Sequence, residues 1–325
     1  MDYNKLITRY RQFGGFKLVR EYAKLGVLWP AVKAGVRCLV KRQSFKQIYP
    51  VVLKKVEPML VSRYIHIAQE FKSSNVQEYI HQRSDIVWWC WLQGIEQAPK
   101  IVKACYISLK RNLPDREIKV IDGENWKKYV ELPEYIVKKW EKGRILAAMF
   151  SDLLRLQLLI KYGGTWIDST VLCTGFKFQD SGSKFKEFLD ADLFLFQYTK
   201  QGSIPVSISN WFISAGTNNE VLRVLRDMLF AYWKDYDCTL DYYIFHLFFA
   251  HISQEYPEDI AKMPYGQSMN SLMLLHNWDE RFNQQKWDRL ISNVCFHKLA
   301  FRIGEDVIDN KNNYYNYILS EYGRI

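Results

Sequence analysis

Long apolar runs are missing from this 325-residue chain. None approaches the roughly 18 uninterrupted apolar residues that a membrane-crossing helix needs. The first twenty residues are charged throughout, unlike a secretory leader. Paired cysteines are missing too. The six present, at 38, 90, 105, 173, 238 and 295, stand singly with no C-x-x-C, which fits reduced thiols of a cytosolic protein better than a disulfide framework or zinc site. The chain has no G-x-x-x-x-G-K-[ST], G-x-G-x-x-G, H-E-x-x-H or G-x-S-x-G. P-loop, Rossmann-fingerprint, zincin and nucleophile-elbow chemistries are therefore not expected. It also lacks internal repeats and low-complexity stretches.

What is present is a globular composition, 48% hydrophobic and 16% aromatic, on a chain long enough to bury a sizeable core. Charge is unevenly spread. Residues 1–64 hold 14 Lys and Arg but only 3 Asp and Glu, a net +11, whereas the remaining residues hold 31 bases and 32 acids. One reading is a solvated basic helical extension. The other is a surface that meets anionic phospholipid, where each base contributes about 1 kcal/mol near the leaflet. Phe13, Phe16, Trp29, Val36 and Leu39 are interleaved with the bases, as an interfacial helix requires. No nucleic-acid motif is present, and nucleic acid is not expected as a partner.

Residues 1–80 read as this basic helical N-terminal extension, broken at Gly14-Gly15, Pro30 and Pro50. From Asp85 the pattern changes. Short apolar runs predict strands over 86–92, 118–121, 165–171, 191–197 and 210–214. Helices are predicted over 98–111, 125–130, 133–142, 145–162, 219–233 and 242–253. Alternating strands and helices imply an α/β domain over 81–325, with helices on both faces of a sheet.

The run S-D-L-L-R from Ser151 and G-G-T-W-I-D-S-T from Gly163 carries the most chemistry. Asp152 and Arg155, three apart, share a helix face. Gly163 and Gly164 stand where a helix C-terminus favours a left-handed residue. Alternation over 165–171 places Trp166, Asp168 and Thr170 on one side of a strand. Two acids and an arginine thus converge inside an apolar stretch, where buried charge is costly unless it pairs or binds something polar. Plain structural readings stand beside this one. Asp168 could cap the next turn, and Asp152 with Arg155 could form an ordinary helix ion pair.

The combination resembles the sugar-binding and D-x-D region of glycosyltransferases with the GT-A fold, a Rossmann-like nucleotide-sugar-binding architecture. Within these it is most similar to the bacterial capsular polysaccharide synthesis protein family, which is like glycosyltransferase family 32. The resemblance covers roughly residues 85 to 302 and includes D-I-V-W-W-C-W-L-Q-G from Asp85, A-P-K-I-V from Ala98, N-L-P-D from Asn112 and S-N-W-F-I-S-A from Ser209. It implies that Trp91 lies near the nucleotide base, with Trp88 and Trp89 as rivals, and that Gln93 also contacts the donor. It implies that Asp152 and Arg155 hold the donor sugar and that Asp168 binds the ribose, a Mn²⁺ or Mg²⁺ ion, or both. Thr170 departs from the pattern, because a neutral hydroxyl replaces the second carboxylate of D-x-D.

Two further places follow from the resemblance. Asp241 would face the acceptor or the reacting carbon, although an N-cap role is equally open, and His246 reads equally as a core histidine. His297 and Lys298 would close over the diphosphate, with His297 as a second metal ligand and Lys298 or Arg302 neutralising the leaving group, or they are two surface residues of a terminal strand. The implied activity is retaining, α-linkage-forming transfer of galactose or glucose from a UDP-sugar to a lipid-linked oligosaccharide or glycan acceptor. That work would sit at the inner face of the bacterial cell membrane, with residues 1–64 on anionic lipid and the protein cytoplasmic and peripheral. Rival readings are a non-catalytic membrane-docking scaffold and a haloacid-dehalogenase-like phosphatase whose D-x-D-x-[TV] partly resembles residues 168–171.

Overall fold

The computed structural model describes residues 3–74, 81–175 and 185–323. The chain packs as two units. One takes residues 79–130, 154–222 and 256–325; the other takes 1–78, 131–153 and 223–255.

The first of these is a mixed α/β unit. Its strands are β1 (Ile86–Cys90), β2 (Glu117–Ile121), β3 (Gly164–Ile167), β4 (Val171–Cys173), β5 (Leu193–Gln197), β6 (Ile208–Ala215) and β7 (Phe296–Lys298). Five of them form one sheet in the order β2-β1-β3-β6-β5, parallel among β2, β1 and β3 and antiparallel where β6 joins β3 and β5. β1 reads as an unbroken apolar run because it is a central strand, buried along nearly its whole length. The helix Lys100–Asn112 makes the crossover that parallel β1 and β2 require. Aromatic residues fill the core. Phe188 stacks on Phe194 at 4.1 Å, Phe196 on Trp211 at 4.6 Å, and Phe212 meets Phe296 at 4.8 Å.

The glycine pair behaves as its position predicts. Gly163 has φ +66° and its amide bonds the Leu159 carbonyl at 2.8 Å, closing the helix Ala147–Tyr162. Gly164, at φ +92°, opens β3 with its α-carbon against the backbone of β1, where a β-carbon would collide with the Ile86 carbonyl oxygen.

The single strand expected over 165–171 is not formed. β3 ends at Ile167, a turn runs through Ser169 and Thr170, and β4 pairs with β7 in a separate two-stranded sheet. The Asp-Ser-Thr triplet supplies turn chemistry that outweighs the alternation on either side. The Asp168 carbonyl accepts from the Val171 amide at 3.0 Å, and the Asp168 amide bonds the Trp211 carbonyl at 2.8 Å. Asp168 therefore opens a turn and Thr170 sits within it, rather than both lining one strand face.

The second unit is helical. It contains the helices Tyr3–Gln12, Phe16–Lys24, Leu28–Val40, Ile48–Ser74, Glu134–Glu141 and Ile244–Glu255, with most of Glu220–Asp235. The chain breaks at Gly14 and Gly15, both at positive φ, as expected. Pro30 and Pro50 instead sit in first helical turns, where a missing amide costs nothing. The basic N-terminal segment packs onto the loop 235–241. Lys17, Lys139 and Arg144 all reach Asp237, at 2.9, 3.1 and 2.6 Å. Burial pushes the Asp237 carboxyl up, but Lys17 and Lys139 outweigh it and hold it at about 2. The Phe13 carbonyl accepts from the Thr239 amide at 2.9 Å, and the Tyr22 hydroxyl donates to the Leu240 carbonyl at 3.0 Å. Among the described residues no helix is long and apolar enough to cross a membrane. All six cysteines are free and buried.

Gly164→Ala is expected to destabilise the protein by on the order of 3 kcal/mol, because a left-handed backbone and a backbone clash coincide there. Denaturant unfolding checks this, with Gly202→Ala, open on all sides, as the milder comparison.

Candidate functional site

The end of β3 carries a charge cluster built from four elements of the α/β unit. Arg155, 4% exposed, comes from the helix Ala147–Tyr162. Its Nη1 donates to the Asn210 carbonyl on β6, its Nη2 lies 3.3 Å from Asp168 Oδ1, and its guanidinium stands 4.9 Å over the Trp166 ring. The Trp166 indole N–H donates to the same Oδ1 at 2.9 Å. From β7, Lys298 places its ammonium 3.6 Å from Asp168 Oδ2 and donates to the Thr170 hydroxyl. One carboxylate thus holds two cations and an indole N–H. The Asp168 side chain stays a quarter exposed and that of Lys298 nearly so, while Arg155 is enclosed. Arrangements of this kind attract a further anion, for which arginine and lysine are the usual partners.

Other expected residues fall variously around this cluster. Trp91 follows β1, half-buried, edge-on to Phe301 at 5.2 Å. Phe301 is exposed, and the Arg302 guanidinium lies 5.4 Å from its ring. Gln93 is exposed in the loop after β1. Trp88 and Trp89 are core residues. Trp88 donates to the Gly163 carbonyl at 2.9 Å, and Trp89 packs on Tyr106.

The expected His-Lys pair is divided by the strand. Adjacent residues of β7 point to opposite faces, so Lys298 meets Asp168 while His297 turns inward. His297 is fully buried, with Nε2 at 3.2 Å from the Thr174 hydroxyl. Burial pulls its pKa down to about 3, which keeps it neutral. The expected metal pair of Asp168 and His297 is therefore not brought together. Among the described residues no group of three or more His, Cys, Asp and Glu could hold a metal. With Thr170 in the third D-x-D position and Lys298 bridging it to Asp168, the Asp168 carboxylate is the protein donor that this motif offers to Mn²⁺ or Mg²⁺.

Asp152, 8% exposed, lies one turn before Arg155 on the same helix and is assigned to the helical unit. Asp241 also belongs to the helical unit. Its Oδ1 accepts from the Tyr243 amide at 2.6 Å and lies 3.5 Å from the Tyr49 hydroxyl, a turn that leads into the helix Ile244–Glu255. Its Oδ2 is buried without a partner. Desolvation raises its pKa, against the amide and Tyr49, which lower it. His246 lies half-buried beside the Tyr243 and Phe245 rings.

Sequence reasoning missed Phe301, which has no periodic signal, and Tyr49, which lies 192 residues from Asp241. The part played by the Trp166 indole was available in the W-x-D spacing.

The model of a protein family described as capsular polysaccharide synthesis protein matches residues 37–318. No curated protein sequence matches the chain. Among solved structures it is similar to one titled PaToxG Glycosyltransferase, at 14% identity over 82% of this chain and 97% of that one, with a TM-score of 0.37.

A raised carboxyl pKa means that the fold favours the protonated acid, so ionised Asp241 costs stability above its folded pKa and the cost fades as pH falls. Asp241→Asn is expected to melt above wild type at pH 8, with the gap closing toward pH 4. Thermal melts across that range check this; a variant that melts below wild type at pH 8 contradicts it.

Proposed function

Since the chain belongs to the capsular polysaccharide synthesis protein family, we propose that it is a glycosyltransferase acting in surface polysaccharide assembly. The observation that carries this reading is the Asp168 cluster, a carboxylate with two cations and a partly open face. The proposed donor is UDP-galactose or UDP-glucose, and the proposed acceptor is a glycan or lipid-linked oligosaccharide. In this reading Trp91 and Phe301 flank the base, with Gln93 beside them. Asp168 takes the ribose, Arg155 fixes the Asp168 carboxylate, and Asp152 hydrogen-bonds the hexose. Asp241 is assigned to the acceptor on the sequence resemblance alone. The protein works at the inner face of the membrane, with its basic segment toward anionic lipid.

The proposed reaction retains configuration and forms an α-linkage. The bond between the anomeric carbon and the diphosphate oxygen breaks, and an acceptor hydroxyl bonds to that carbon on the same face. The hydroxyl proton passes to the departing phosphate oxygen. Such a step needs stabilisation of the leaving group more than a strong base. A fixed cation aimed at developing charge contributes on the order of 10²–10³ in kcat. We assign that cation to Lys298, and a metal ion at Asp168 would have to displace it.

Asp168→Ala is expected to abolish transfer from UDP-hexose and to lower the melting midpoint, because it takes a carboxylate from the buried Arg155, whereas Asp168→Asn, which keeps an acceptor oxygen at the same place, is expected to lose transfer with a smaller drop. Lys298→Ala is expected to lower kcat about 100-fold. Turnover should survive chelation by EDTA and gain little from Mn²⁺. Normal turnover by Asp168→Ala would sink the site assignment, loss of activity in EDTA would restore a metal, and no transfer or donor hydrolysis by the wild type would leave the scaffold reading.

A further inference from the structure

The helix Leu28–Val40 is built inside out. Its small residues Ala31, Ala34, Gly35 and Cys38 lie on one face, Cys38 buried and the other three half-buried. A β-carbon on Gly35 would stand 3.6 Å from the Ile48 side chain, which marks that face as the packed one. The large apolar side chains point the other way. Trp29 is 76% and Val40 79% exposed, and Val32, Val36 and Leu39 are exposed with them. At 100° per residue these five occupy an arc of about 100°, opposite the small residues. A helix of a soluble protein places its bulky apolar residues inward. Here the stripe is complete and faces out.

Charge identifies the occupant. Lys33 and Arg37 border one side of the stripe, and Lys41, Arg42 and Lys46 follow it, all exposed. Residues 1–64 contain only three acids, Asp2, Glu21 and Glu57. A second copy of the same face would bring like charges together. An anionic bilayer matches both features, because bases meet headgroups while Trp and Val enter the acyl boundary. We infer that Leu28–Val40 is an interfacial helix that lies in the surface of an anionic membrane, with Trp29 as its anchor. The inference deepens the membrane attachment proposed above and identifies the element that makes it.

Because the N-terminal helices pack on loop 235–241, deleting them would confound the result. Point changes on the exposed stripe leave that packing intact. Full-length protein is sedimented with vesicles of phosphatidylglycerol and phosphatidylcholine, or of phosphatidylcholine alone, and no sugar transfer is read. Wild type should bind the anionic vesicles at least tenfold more tightly, and less so in high salt. Trp29→Ser with Val36→Ser, and separately Lys33→Glu with Arg37→Glu, should each weaken that binding tenfold or more at unchanged melting midpoint. A brominated lipid should quench more fluorescence in wild type than in Trp29→Phe. Equal binding by wild type and the serine variant overturns the assignment. So does wild-type binding that ignores lipid charge, or a dimer in solution that the serine variant dissolves. These outcomes are independent of whether the protein proves to be a transferase, which is decided by UDP-hexose turnover.

Discussion

The bond network around Asp168 is the constraint on which the rest of the α/β unit depends. A buried guanidinium such as Arg155 is tolerated only when paired and hydrogen-bonded, so β3 must deliver a carboxylate and β6 a carbonyl to one point. That requirement explains several features at once. The helix carrying Arg155 has to end abruptly so that β3 can start, hence Gly163. β3 has to lie against β1 without a side chain between them, hence Gly164. The chain has to turn immediately after Asp168, so that β4 can pair with β7 and bring Lys298 to the second carboxylate oxygen.

Much of this was legible in the sequence, and the reasons differ from piece to piece. β1 was readable because a central strand must be apolar on both faces, and the glycine pair because few residues adopt positive φ. The α/β alternation located the sheet. The turn at residues 168–170 was hidden because alternation continues through it: Trp166, Asp168 and Thr170 are correctly spaced for a strand that the backbone does not make. The separation of His297 from Lys298 was legible in principle, since strand neighbours diverge, but only once β7 was known to be a strand. Partners from distant segments, such as Tyr49 with Asp241, leave no local signal.

The two units illustrate different uses of charge. In the α/β unit, Asp168 draws an enclosed arginine and a partly exposed lysine to one carboxylate. In the helical unit, Asp237 gathers three cations at a surface and fastens the N-terminal helices to the loop before Asp241. The remaining bases of residues 1–64 are mostly spread over the surface. A compact ion-pair hub fixes the segment, and most of the bases around it are exposed.

The buried thiols have a practical corollary. Burial raises the pKa of Cys90, Cys105 and Cys238 to about 12, and Cys173, at the end of β4, and Cys295, just before β7, are enclosed in the core. Cys38 lies on the packed side of its helix. A maleimide has to reach the sulfur, and all six are buried, so none of them competes well for the reagent in the folded protein. The native chain is thus already a silent background for spectroscopy. One cysteine introduced on the surface would take a spin label or fluorophore selectively, without the six replacements that such work usually requires.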